Sequence, residues 1–133
     1  VEFEKQGLAI ATQNLAERVE KLTGIRCEFH DEADVEIENY NTALNVYRII
    51  QEAVNNAVRH SGANRIDIRI QPNPESVEIT VEDNGKGFDP SSEREKGSGI
   101  EIMKYRTDLM GGIFEINRTA EDRTRVRCVI SNQ

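Results

Sequence analysis

Apolar positions along the chain follow two spacings. From Gly7 to Leu22 they recur at helical intervals, at Leu8, Ile10, Ala11, Leu15, Val19 and Leu22, and Gly24 is a natural stop. Ile25, Cys27 and Phe29 then alternate with polar residues, the mark of a half-buried strand. The acidic stretch from Asp31 to Asn41 has no clear period and leaves room for a short strand at Val35 to Ile37. A longer helical pattern runs from Ala43 to Ser61, with Val46, Ile50, Ala53, Val54, Ala57 and Val58 as its apolar stripe. Asn41 and Thr42 are suitable N-caps for it, and Gly62 suits a left-handed stop.

The two-residue period returns at Arg65 to Gln71 and at Val77 to Glu82. The Pro- and Asn-rich turn 72–76 between them predicts a hairpin. Phe88 to Lys96 is polar and without period, and reads as a lid. Gly99 to Met110 is a third helix with Ile100, Met103 and Leu109 as its apolar contacts, and Gly111-Gly112 ends it. Ile113 to Asn117 and Thr124 to Ile130 form a second hairpin. Three helices and about five strands in hairpins predict a two-layer α/β sandwich, its mixed and mostly antiparallel sheet covered on one face by the helices.

Length and composition narrow the class. The 133 residues are enough for one domain with a core of its own, 1–133. A formal charge of −7 argues against broad nucleic-acid binding. Cys27 and Cys128 stand alone, without metal-ligand spacing, and read as buried thiols of a reducing compartment. No apolar run is long enough to span a bilayer, so no direct membrane contact is expected of this domain.

Two stretches carry candidate chemistry. At about 100° per residue, Glu52, Asn56 and Arg59 fall within roughly 60° of one another beside the apolar stripe of the second helix, with His60 nearer the apolar edge. The strand ending at Glu82 runs into Asp83-Asn84-Gly85-Lys86-Gly87-Phe88, where two glycines allow a tight turn and close approach of a flat ligand. Asp83 places an acceptor at the strand end for an amino group. Gly97-Ser98-Gly99-Ile100 opens the third helix, whose first amides make an anion site. Each stretch alone has a plain reading, as a solvated helix face or an ordinary Asp-Asn-Gly turn. There is no GxxxxGK[ST]. Pro90 and Ile102 stand where a dinucleotide fingerprint requires its third glycine.

Taken in order, Glu52-Ala-Val-Asn-Asn56-Ala-Val-Arg59-His60, Asp83-Asn-Gly85-Lys-Gly87-Phe88 and Gly97-Ser-Gly99-Ile100 resemble the N, G1 and G2 boxes of the GHKL ATPases. That superfamily includes gyrase, mismatch-repair MutL and sensor histidine kinases. The wording Gln51 to Ser61 and the short lid most resemble the catalytic domains of the NarL-partner and DesK-like histidine kinases. The resemblance covers nearly the whole chain and implies the Bergerat fold, with ATP and Mg2+ as cofactors. It implies Asn56 as the metal ligand, Asp83 as acceptor for the adenine amino group, and Gly85, Lys86, Gly87 and Phe88 around base and sugar. Gly97, Ser98, Gly99 and Ile100 would meet the phosphates, Thr124 would lie near adenine, and Arg59 and His60 would stand beside the nucleotide. Glu52 is the candidate catalytic carboxylate, either as general base or as a group ordering metal-bound water.

The resemblance further implies a cytoplasmic location, under a parent that is either soluble or membrane-anchored. It implies a dimerisation and histidine-phosphoacceptor domain elsewhere in that parent, and a response regulator downstream. Alternatives are an anti-sigma-factor serine kinase of the same superfamily and a non-catalytic regulatory module. The chain departs from the family at Arg123, where relatives often carry Gly, and at Ile102 and Tyr105 in the third helix.

Overall fold

A computed structural model describes residues 2–31, 35–60, 62–86 and 99–131, without the side chains of residues 2–6 and of His60. Three helices and five strands follow in the order α1 (Glu2–Thr23), β1 (Arg26–His30), α2 (Tyr40–His60), β2 (Arg65–Pro72), β3 (Ser76–Asp83), α3 (Ile100–Leu109), β4 (Ile113–Arg118) and β5 (Thr124–Ser131). The strands form one sheet in the order β1-β2-β3-β5-β4. Only β1 and β2 pair in parallel, because α2 carries the chain back between them; the other three pairings are antiparallel.

One sheet face takes the helices. Ile66, Ile68 and Ile70 of β2, Val77, Ile79 and Val81 of β3 and Val126, Cys128 and Ile130 of β5 are buried there. Val46, Ile49, Ile50, Ala53, Val54 and Ala57 of α2 join the same core, as do Leu8, Ala11, Leu15 and Ala16 of α1 and Met103 of α3. Burial of a full Ile or Leu side chain contributes about 1.5–3 kcal/mol, so this stripe is what holds α2 on the sheet. The opposite face carries ion pairs. Arg127 bridges Glu78 at 2.9 Å and Glu115 at 2.7 Å, and Arg125 meets Glu82 at 3.2 Å. Asp67 accepts from both ends of the Arg65 guanidinium at 3.0 Å and pairs with His30 Nε2 at 2.8 Å. Arg123 reaches it at 3.5 Å.

Several local expectations change. α2 begins earlier than Ala43, and its cap is Asn39, whose Oδ1 accepts from Thr42 N at 3.1 Å; Asn41 and Thr42 lie inside the first turn. Residues 35–37 are not a strand: Val35 and Ile37 pack on the core beside Pro72, Val77 and Ile130, held by apolar contact without a ladder. The first helix starts at Glu2, with a break at Gly7 (φ 79°, ψ 177°). In α3 the buried stripe is Met103 and Thr107, while Leu109 is 58% exposed. Thr107 takes the inward position because its hydroxyl is satisfied by the Met103 carbonyl at 2.9 Å. The proposed lid, Phe88 to Lys96, lies outside the described residues.

The α3–β4 turn shows two separate uses of glycine. Gly111 adopts φ 66° with open space around it. Gly112 is crowded: a Cβ there would lie 2.5 Å from the Val129 carbonyl oxygen and 3.1 Å from the Thr107 methyl.

Candidate functional site

The site is built where β3 ends. Asp83, the last residue of β3, is buried, and its Oδ1 accepts from Gly85 N at 2.8 Å. This Asx-type bond folds the chain sharply after the strand and leaves Gly85 buried and Lys86 exposed. Asn84 ties the turn to the start of β2: its Oδ1 accepts from Asn64 N at 3.0 Å and Arg65 N at 3.1 Å, and its Nδ2 donates to Asn64 Oδ1 at 2.7 Å. The turn is therefore fixed from both sides by side chains of its own Asp-Asn pair.

Register brings Thr124 into the same place. Asp83 stands opposite Thr124 across β3 and β5, and Thr124 stands opposite Arg118 across β5 and β4. Residues directly opposite share a face, so Asp83, Thr124 and Arg118 form one polar row at the end of the helix-covered face. Asp83 and Thr124 are each 7% exposed. Polar groups this buried at a sheet end are costly unless paired.

The helical wall comes from α2 and α3. α2 packs on β2 and β3 and contacts α3, and Arg106 Nη1 donates to Asn45 Oδ1 at 2.9 Å across the two helices. Glu52 and Asn56 are half-buried on α2, and Arg59 is exposed. Gly99, with φ 86°, is the N-cap of α3 and makes no side-chain cap bond. The Glu52 carboxylate lies directly over its α-carbon, in the space a Cβ would take. A larger residue at position 99 would strain the backbone and would have to push the end of the Glu52 side chain aside. The structure thus joins the first and third boxes through Glu52 and Gly99, with Ile100 half-buried behind them. Asn56 Oδ1 is buried and has no hydrogen-bond partner among the described residues. An orphaned hard oxygen donor on a rigid helix fits a magnesium ligand.

Gly87, Phe88, Gly97 and Ser98, and the side chain of His60, lie outside the described residues. Arg118 is the residue that sequence reasoning passed over. Its Nη1 donates to Gly85 O at 3.1 Å and Thr124 Oγ1 at 2.8 Å, and its Nη2 donates to Asp122 O at 2.8 Å and Asp122 Oδ1 at 2.6 Å. The expected hairpin ends its first strand at Asn117 and leaves Arg118 in the loop, so its pairing opposite Thr124 came only with the structure.

Residues 41–133 match the family described as histidine kinase-, DNA gyrase B- and HSP90-like ATPase. The chain belongs to this family. Its sequence relatives include the signal transduction histidine-protein kinase/phosphatase DegS of Brevibacillus brevis, 27% identical over 90% of this chain and 31% of the relative. The sensor histidine kinase LiaS of Bacillus subtilis is 31% identical over 73% of this chain and 29% of its own length. The chain thus spans about a third or less of these curated relatives. Among solved structures, the catalytic domain of the histidine kinase ThkA superposes with a TM-score of 0.72 at 21% identity, over 94% of this chain and 91% of that one. The blue-light activated histidine kinase of Erythrobacter litoralis superposes with a TM-score of 0.70, also at 21% identity, over 92% of this chain and 41% of that one. The fold is that of the histidine kinase ATPase domains, and the family is one of ATPase domains.

Proposed function

We propose that this domain positions Mg-ATP for transfer of its γ-phosphoryl group to a histidine carried by a separate dimerisation and acceptor domain of the parent protein. From there the group would pass to a response regulator. The observation that carries the reading is the buried row of Asp83 and Thr124 beside the Gly85 turn, together with an α2 that presents Glu52 and an Asn56 Oδ1 without a hydrogen-bond partner among the described residues.

In this reading the Asp83 carboxylate accepts from the exocyclic amino group of adenine, and Gly85 lets the ring approach. Thr124 contacts the same edge of the base. The amides opening α3 at Ile100 and beyond face the phosphates, and Arg59, Lys86 and His60 stand at the edge of the site. Asn56 Oδ1 would hold Mg2+, which when bound neutralises phosphate charge. Glu52 would act as general base or order metal-bound water. The acceptor nitrogen attacks phosphorus as the bond to the bridging oxygen breaks, and ADP departs. The protein's contribution is placement and charge compensation. Support for a cytoplasmic site of action is the nature of the substrate; among the described residues, no helix is long and apolar enough to cross a membrane.

Calorimetric titration of Mg-ADP into the chain and into Asp83→Ala tests the pocket. A charge-assisted hydrogen bond contributes about 1.5–3 kcal/mol, so the variant is expected to bind roughly 10- to 100-fold more weakly. Equal affinity in the two proteins would remove Asp83 from the site. Acid-labile phosphate appearing on a histidine-bearing acceptor domain mixed with this chain and Mg-ATP tests the transfer. Acid-stable phosphate would instead assign a hydroxyl acceptor.

A further inference from the structure

We infer that Arg118 determines base specificity by setting the hydrogen-bond polarity of Thr124 while bracing the Gly85 turn; the inference rests on the nucleotide reading above. A guanidinium only donates. In its 2.8 Å bond with Nη1 of Arg118, Thr124 Oγ1 is therefore the acceptor, and its own hydrogen is directed away from Arg118. Accepting from a cation polarises the hydroxyl, making it a better donor and a poorer acceptor, so Thr124 offers a donor directly opposite the Asp83 carboxylate, which offers an acceptor. An acceptor beside a donor is complementary to the edge of adenine, where the amino group donates and the adjacent ring nitrogen accepts. It is anti-complementary to a 6-oxopurine, whose oxygen accepts and whose neighbouring ring N–H donates.

The same side chain locks the surroundings. Nη1 also donates to the Gly85 carbonyl, across the interval from β4 to the turn after β3. Nη2 holds the carbonyl and carboxylate of Asp122, the one described non-glycine residue with positive φ, at 63°. Asp122 closes a hairpin loop in which Thr119 N donates to Arg123 O at 2.7 Å. Four bonds from one planar fork thus join the Gly85 turn, the β4–β5 hairpin loop and Thr124 into one unit. A lysine, with a single ammonium, cannot span them in the same geometry.

The test is calorimetric binding of ADP and inosine diphosphate to the chain and to its Arg118→Met and Arg118→Lys variants, with thermal unfolding of each nucleotide-free protein. The unmutated chain is expected to prefer ADP at least tenfold. Arg118→Met should lose about tenfold in ADP affinity while inosine diphosphate affinity changes by less than about twofold, so that the preference collapses. Arg118→Lys, which keeps a donor toward Thr124, should recover part of the preference. A parallel fall of both ligands, tracking a lowered melting temperature, would make Arg118 a structural brace only and overturn the inference. So would an unchanged preference in both variants. Failure of the unmutated chain to bind either nucleotide would overturn the pocket itself, an outcome distinct from loss of selectivity on a working site.

Discussion

The informative residues are the ones whose chemistry is out of balance in the ligand-free protein. Asn56 is the clearest. Its carbonyl oxygen is buried with no partner among the described residues, a state that costs about 1–3 kcal/mol. Asn56→Leu is therefore expected to melt at the same temperature as the unmutated chain or higher, while losing the Mg2+-dependent part of its ATP affinity. A fall of more than about 5 °C with Mg2+ dependence intact would show that Asn56 is a packing residue. Asp83 presents the opposite case, since its carboxylate already holds the Gly85 amide. The thiols are out of play. Burial, aided by the charges of Glu20 and Asp67, pushes the Cys27 thiol up to about 12, and burial raises that of Cys128. Neither supplies a thiolate near neutral pH.

Elements place these residues by their ends. β3 stops at Asp83 because the Asx bond to Gly85 N turns the chain away from the sheet. α3 starts at Gly99, whose φ of 86° is a left-handed conformation that strains residues with a Cβ. The far end of α3 depends on two glycines for different reasons, and this separates two substitutions. Gly111→Ala meets no neighbour but pays the left-handed penalty of about 1–2 kcal/mol. Gly112→Ala must displace the β5 backbone at Val129 and the Thr107 methyl, an overpacking of about 1–3 kcal/mol. Thermal unfolding should show both destabilised. Gly111→Asn should recover much of the first loss, since Asn tolerates positive φ, whereas Gly112→Asn should be worse than Gly112→Ala. Equal responses at the two positions would contradict the distinction.

At the scale of the whole molecule, the sheet has one oily face and one charged face, and Asp67 is the electrostatic centre of the charged one. It joins β1 through His30, β2 through Arg65 and the β4–β5 hairpin through Arg123. Burial pushes its carboxyl upward, but the hydrogen bonds from Arg65 and His30 outweigh this and hold it below its ordinary 3.8. A carboxyl lowered by folding adds stability above its unfolded value and loses it as pH falls through the folded one. Acid titration of stability should therefore show a loss that begins near pH 4 and continues below it. Asp67→Asn should flatten that part of the curve and lower stability at neutral pH by about 1–3 kcal/mol. An unchanged acid limb in Asp67→Asn would assign the acid sensitivity to other carboxylates.

Much of this architecture was legible in the residue order, because it follows from local periodicity. The 3.6-residue stripe of α2, the alternation of β2, β3 and β5 and the stops at Gly24 and Gly62 each depend on neighbours within one or two turns. The three boxes could be read in the same way, and they placed Glu52, Asn56, Asp83 and Gly99 on the elements where they lie, while Thr124 was read separately in the last strand. Tertiary structure decided what depends on distant pairing. The register set Thr124 between Asp83 and Arg118, the approach of α3 to α2 put Gly99 under Glu52, and the core drew in Thr107 while leaving Leu109 outside. Arg118 has no local signal, because its bonds to Thr124 and Asp122 need the closed hairpin and its bond to Gly85 spans 33 positions. Such contacts exist only after the strands have closed, and that closure brings Asp83, Thr124 and Arg118 into one row.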